Sequence, residues 1–182
     1  MSYINSWVSP SPPQLISDIT VSVAESVTAG ALANTLCAEP GASEYFKGGI
    51  VAYSIASKRD ILGVDTTYAE KNNFANPFTT SEMAKSVTKM MKSRFGIATT
   101  GYSLPKKQTA DDLHCELDVA IPYAYICLHD SYLNVDISVK VEYKKYLVAG
   151  NQAIQKASAQ AMFALEACKL YKDYVNKLSP LV

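Results

Sequence analysis

The sequence predicts an α/β fold, a three-layer α/β/α sandwich built on a mixed parallel and antiparallel sheet. Short β-rich runs alternate with helical stretches from Leu15 onward, which is the pattern of a sheet covered on both faces. A second observation is the segment Leu133 to Tyr143. There Leu133, Val135, Ile137, Val139, Val141 and Tyr143 alternate with Asn134, Asp136, Ser138, Lys140 and Glu142, a half-buried strand with one wet face that suits antiparallel pairing. The third is a long closing helix after Gly150, with Ile154, Ala157, Ala161, Leu165, Cys168 and Val175 read as its inner stripe.

The elements follow in order. Ile19 to Ala24 is β-rich and reads as a buried strand, and Thr28 to Leu36 as a helix that stops before the turn signal Pro40-Gly41. Ala42 to Phe46 reads as a short helical turn, Gly49 to Ser54 as an apolar strand, and Lys58 to Gly63 as a short helix ended by glycine. Thr79-Thr80-Ser81-Glu82 has the form of a capping box, with Met83, Val87, Met90 and Met91 on one face of the helix that follows. Gly96 to Gly101 is a third strand, residues 102 to 118 are polar and irregular, and Pro122 to Leu128 leads into His129-Asp130-Ser131-Tyr132, read as a hairpin turn. Residues 1 to 14, with three prolines between Ser9 and Pro13, form an extended lead-in, and 15 to 182 are expected as one domain without internal repeats.

Composition excludes several classes. The 17 basic and 17 acidic residues balance, leaving no electrostatic footprint for nucleic acid or an anionic membrane. Cys37, Cys115, Cys127 and Cys168 are far apart with no CxxC pair, which indicates neither a zinc ribbon nor a disulfide framework and suits a reducing, cytoplasmic compartment. The longest apolar run, Val119 to Leu128, is too short to span a bilayer, and the N-terminus lacks the pattern of a signal peptide. His114 and Cys115 with Asp111 and Asp112 match no metal-ligand spacing and read as a solvated loop, and His129 reads as a turn residue.

Three residues carry the chemical reading: Ser26, between a strand and a helix; Tyr53, at a strand end; and Lys58, one turn further on. A serine near a lysine is a nucleophile–base arrangement, with helix-terminal N–H groups as an oxyanion hole. Each also has an ordinary structural reading. Ser26 suits a helix N-cap, Lys58 a solvated surface charge, and Tyr53 an aromatic at the edge of the core with its hydroxyl in water. To act as a base near pH 7, Lys58 needs its pKa lowered by about 3 units from about 10.4, a differential cost of roughly 4 kcal/mol that burial can supply. Glu25 reads as a surface or cap residue with no chemical role.

Four segments in order, Ala24-Glu25-Ser26-Val27-Thr28-Ala29-Gly30, Pro40-Gly41-Ala42-Ser43-Glu44-Tyr45-Phe46, Gly48-Gly49-Ile50-Val51-Ala52-Tyr53-Ser54 and Lys58-Arg59-Asp60-Ile61-Leu62-Gly63-Val64, resemble the CinA C-terminal domain family, the nicotinamide-nucleotide amidase group. The resemblance is dense from Val23 to Val64 and thin afterwards. It implies a three-layer α/β domain that associates with itself. It also implies hydrolysis of the carboxamide of nicotinamide mononucleotide (NMN) or a related small-molecule amide, releasing ammonia, with no metal and no cofactor. Carried over by residue, Ser26 is the nucleophile, Lys58 the base, and Tyr53 orients or relays the proton. Thr28, Gly30, Gly49, Thr100 and Gly101 are the implied substrate-binding positions.

The chain departs from the family pattern Glu-Ser-Cys-Thr-Gly-Gly at Val27 and Ala29. A glycine-rich loop after Thr100-Gly101 is replaced by Tyr102-Ser103-Leu104-Pro105-Lys106-Lys107, and the family's Gly-Asp-Arg before the last helix is Gly150-Asn151-Gln152. The missing arginine removes a bidentate fork for phosphate or carboxylate, for which Lys106 or Lys107 is the substitute to be expected. Two expectations follow: an amidohydrolase acting on NMN or a less anionic amide, or a non-catalytic binding or oligomerisation module on the same fold in which Ser26 and Lys58 stand too far apart to hydrogen-bond. In the family this domain often follows a larger one, so the chain is expected to be a standalone version.

Overall fold

The computed structural model describes residues 18–68, 73–108, 117–144 and 151–178. The elements, in chain order, are β1 Val21–Glu25, α1 Ala31–Cys37, α2 Ala42–Tyr45, β2 Phe46–Val51, α3 Ile55–Asp60, α4 Pro77–Met91, β3 Phe95–Tyr102, β4 Lys106–Gln108, β5 Leu117–Val119, β6 Tyr123–Asp130, β7 Val135–Glu142 and α5 Gln152–Leu178. Five strands form one sheet in the order β2-β1-β3-β6-β7, and β4 pairs with β5 in a separate two-stranded ribbon. β1 is parallel to both β2 and β3, whereas β3–β6 and β6–β7 are antiparallel. The mixed sheet is the predicted one.

Each face of the sheet is covered. Val21, Val23, Phe95, Ile97, Ile126 and Leu128 point to the side on which α1 and α5 pack, against Leu32, Leu36 and Phe163. Ala24, Ala98 and Cys127 point the other way, onto Met83, Ala84 and Val87 of α4. The period of two along each strand divides its residues between these two cores. Because β1, β2 and β3 run in parallel, their carboxyl ends meet on one rim of the sheet, the place where open α/β sheets accommodate ligands.

Several elements differ from the sequence expectation for identifiable reasons. The first helix starts at Ala31, not Thr28, because Ala29 and Gly30 take left-handed conformations (φ 51° and 101°) that end the turn before the helix can begin. The helix of Met83 starts at Pro77: Asn76 is its N-cap, accepting from Thr79 N, so Thr79 to Glu82 lie inside the helix and form no capping box. Proline at the first helical position forfeits no hydrogen bond, which makes Asn76-Pro77 the stronger start. Met90 on that helix is exposed, off the buried face of Met83 and Val87.

His129 and Asp130 belong to β6 and are buried, and the hairpin turn is Ser131 to Asn134, closed by Asn134 at φ 52°. Asp136 on the facing strand takes the His129 ring nitrogen at 2.7 Å, and Arg94 and Asp130 form a buried ion pair at 2.9 Å, so both residues have partners inside the sheet. Within residues 102 to 118, Lys106–Gln108 is a strand rather than irregular chain. On α5 the inward side carries Ala159, Phe163, Ala164, Ala167, Cys168 and Tyr171, while Ile154, Ala157, Ala161 and Leu165 face outward. The alternation of β7 holds, with Lys140 and Glu142 exposed, although Val135 at its start and Leu133 in the preceding turn are exposed too. The expectations for residues 1–14, His114, Cys115, Asp111, Asp112 and Gly150 lie outside the described residues.

Candidate active site

Ser26 is the first residue after β1, and its N–H donates to Thr99 O of β3 at 2.9 Å, so the sheet hydrogen bonding carries on up to the site. It is 7% exposed and does not cap a helix: Gly30 is the N-cap residue of α1. The cap comes from Glu25. Its carboxylate, wholly buried, accepts from Gly30, Leu32 and Ala33 N–H at 2.8, 3.1 and 2.8 Å. Ala31 N–H donates to Thr28 O at 3.0 Å, and the N-terminal N–H groups of α1 are thereby committed. The helix terminus therefore is not the expected oxyanion hole. The N–H groups of Val27 and Thr28, one and two residues past the serine, make no hydrogen bond among the described residues. α5 steadies this turn from outside, Gln160 Nε2 donating to Val27 O at 3.0 Å.

Lys58 sits on the second turn of α3. That helix starts at Ser54, whose hydroxyl accepts from Ser57 N at 3.0 Å while the Ser57 hydroxyl accepts from Ser54 N at 3.0 Å. The reciprocal cap sets the helix start directly after β2, so the Lys58 side chain reaches back over the strand end. Its Nζ donates to Ser26 Oγ at 2.9 Å, Ala52 O at 2.8 Å and Tyr53 O at 3.2 Å. Three N–H groups meet three oxygens, although the residue is only 3% exposed. Burial pushes the Lys58 ammonium down to about 8 from its ordinary 10.5, since the charged form is the one that loses water. Lys58 is therefore not a solvated surface charge.

The pair opens onto a cleft of about 460 Å³. Thr100 and Gly101, at the end of β3, line it as expected, with Phe74, Tyr102 and Ile55 as further walls. Asn73 fixes one of those walls by accepting from the Tyr102 hydroxyl at 2.6 Å. Tyr53 lines the cleft with its ring 60% exposed; its carbonyl holds Lys58, whereas its hydroxyl hydrogen-bonds to neither Lys58 nor Ser26. Three expected substrate positions, Thr28, Gly30 and Gly49, are not among the residues that line the cleft. The Thr28 hydroxyl is paired with that of Thr99 at 2.7 Å, and Gly30 donates to Glu25. Gly49 is needed for strand packing: a Cβ there would lie 2.3 Å from Val23 Cγ2.

Sequence reasoning missed Lys156 of α5, which lines the cleft one helical turn after Gln152; the four-residue spacing from that position is the signal that would have found it. It also missed the buried role of Glu25. Among the described residues no group of three His, Cys, Asp or Glu is placed to share a metal ion, and no helix is long and apolar enough to cross a membrane.

A mixed-sheet α/β domain with a buried serine–lysine pair at the carboxyl ends of its parallel strands is the class that the fold and the site define. Within it, the chain belongs to the CinA C-terminal domain family, whose profile matches residues 15–114. A CinA-like protein of Flavobacterium psychrophilum is 40% identical over 93 residues, which are 51% of this chain and 22% of that protein. One from Pseudothermotoga lettingae is 43% identical over 86 residues, 47% of this chain and 21% of that protein. The matched segment thus spans about a fifth of the length of these relatives. A CinA superfamily protein from Escherichia coli shares the fold at a TM-score of 0.64 and 22% identity, over 87% of this chain and 84% of its own. A competence/damage-inducible protein from Agrobacterium tumefaciens does so at 0.64 and 24%, over 94% and 99%.

Proposed function

We propose that the chain is an amidohydrolase that cleaves the carboxamide of nicotinamide mononucleotide or a related small amide and releases ammonia. Ser26 is the nucleophile and Lys58 the base. The observation that carries this reading is the 2.9 Å contact between Lys58 Nζ and Ser26 Oγ, with Ala52 O and Tyr53 O on the other two N–H groups. In the neutral amine those two carbonyls hold both protons, and the lone pair is left aimed at the serine hydroxyl. The separation demanded by a non-catalytic reading, too long for a hydrogen bond, is not the one present.

The steps follow from this geometry. Neutral Lys58 takes the Ser26 Oγ proton as Oγ attacks the amide carbon, and the carbonyl oxygen becomes an oxyanion for which the N–H of Val27, a residue of the cleft lining, is the proposed donor. The Lys58 ammonium then gives its proton to the departing nitrogen, which leaves as ammonia, and an ester to Ser26 remains. Lys58 next deprotonates a water that attacks this ester. The carboxylate product leaves and Ser26 regains its proton. The sum is amide plus water giving carboxylate plus ammonium. Tyr53 acts here as a wall that orients the substrate and as the carbonyl that holds Lys58.

The test is ammonia release from NMN, with nicotinamide riboside and neutral amides as alternative substrates. Wild type releases ammonia, and both Ser26→Ala and Lys58→Met lose roughly a thousandfold or more with the fold intact, as expected when one member of a nucleophile–base pair is removed. An unchanged rate in Ser26→Ala ends the proposal.

A further inference from the structure

Among the described residues three lysines line the cleft, Lys58, Lys106 and Lys156, and no carboxylate does. Lys58 is held by Ser26 and two carbonyls. The other two arrive from distant parts of the chain, Lys106 from β4 and Lys156 from α5. Neither has a carboxylate partner among the described residues. Lys106 Nζ lies 5.8 Å from the centre of the Tyr102 ring, and Lys156 Nζ 5.9 Å from that of Tyr53. These distances are at the outer reach of a cation–π contact, and both rings are themselves cleft walls.

Several lysines outside the cleft are paired with carboxylates. Lys85 pairs with Asp136, Lys172 with Glu39, and Lys107, next to Lys106, stands 3.9 Å from Asp118. Two ammonium groups on one concave surface whose described lining holds no carboxylate raise the local concentration of anions.

We propose that Lys106 and Lys156 form a two-point clamp for an anionic group, phosphate or carboxylate, carried by the substrate whose amide meets Ser26. This rests on the amidohydrolase reading of the same cleft, but it is tested by binding alone. Lys106 answers the expectation of a substitute for the absent arginine, whereas Lys107 is engaged with Asp118. Lys156 takes the role that the uncharged, exposed Gln152 cannot.

The experiment measures affinity by calorimetry in the Ser26→Ala protein, where no turnover intervenes. Two ligand pairs differ only by an anion: NMN against nicotinamide riboside for phosphate, and succinamate against butyramide for carboxylate. The anionic member of at least one pair binds more tightly, and the pair that responds identifies the anion. Lys106→Gln and Lys156→Gln each weaken that member roughly tenfold to a hundredfold, the worth of one charged hydrogen bond. The neutral member is unaffected, and Lys156→Arg restores binding. The clamp is overturned if neither pair shows a preference, total absence of binding included, or if the preference survives Lys106→Gln/Lys156→Gln. If the preference is present but wild type releases no ammonia from any of the four ligands, the amidohydrolase reading fails and the clamp stands.

Discussion

Lys58 ties reactivity to stability. With the ammonium lowered to about 8, the proposed mechanism has kcat/KM rise with pH as the neutral amine accumulates and level off above that value. A profile flat from pH 6 to 9 would remove Lys58 as the base. The unfolded chain holds this proton up to about pH 10.4. Between the two values the unfolded state binds more protons, so folding stability increases with pH across that window, and the cost of the buried ammonium is fully present below it. The span corresponds to about 3 kcal/mol. Lys58→Met removes the dependence, so urea denaturation at pH 7 and pH 10 gives a wild-type-minus-variant difference that grows toward high pH. An equal difference at both pH values contradicts the burial argument. Ala29 supplies a second test at this scale. A methyl-bearing residue at φ 51° is strained, and Ala29→Gly gains about 1 kcal/mol in the same assay, whereas Ala29→Val loses stability.

The start of α1 depends on a carboxylate outside the helix. Glu25 is the last residue of β1, and by accepting from three N–H groups of the 30–33 segment it fixes the angle between strand and helix that positions Ser26. Glu25→Ala leaves those buried donors unpaired and costs about 3 kcal/mol, while Glu25→Gln retains one acceptor and costs less. A loss under 1 kcal/mol for the alanine variant would show that water replaces the cap. On α5, Phe163 is wholly buried and Leu165 is 60% exposed. Phe163→Ala therefore costs about 3–5 kcal/mol and Leu165→Ala less than 1. The reverse order in thermal unfolding would mean that the helix is rotated about its axis.

Across the molecule, the site draws on three neighbouring strands, the inner β1 and β3 and the edge strand β2. β1 delivers Ser26, its neighbour β2 leads to Tyr53 and Lys58, and β3 delivers Thr100 and Gly101. Ser26, Thr100 and Gly101 thus sit on inner strands, whereas Tyr53 and Lys58 follow an edge strand, with β7 at the opposite edge. Hydrogen exchange should find the amides of β1 and β3 opening only with global unfolding and those of β7 earlier. Faster exchange in β3 than in β7 would contradict the strand order.

The strands, the class of fold and the serine–lysine pair were legible in the chain because periodicity and turn residues act over a few positions. Alternation found β7, and the motifs singled out Ser26 and Lys58, which meet at 2.9 Å, and Tyr53, whose hydroxyl reaches neither. Helix starts were less legible: Thr79-Thr80-Ser81-Glu82 has the residues of a capping box, yet Asn76-Pro77 captured the start, and α1 takes its cap from Glu25 on a strand. The phase of α5 was misread because its alanines are small enough to satisfy either an inner or an outer stripe; only packing against Leu32 and Leu36 of α1 and the sheet selects Phe163 and Ala164. The sequence by itself determined a mixed α/β sheet and singled out Ser26 and Lys58, the pair to which the proposed chemistry is assigned. Tertiary structure alone decided that Lys58 is buried against Ser26, that Thr28, Gly30 and Gly49 lie outside the lining of the cleft, and that Lys156 belongs to it. Burial and convergence depend on contacts between residues tens of positions apart, which no local pattern encodes.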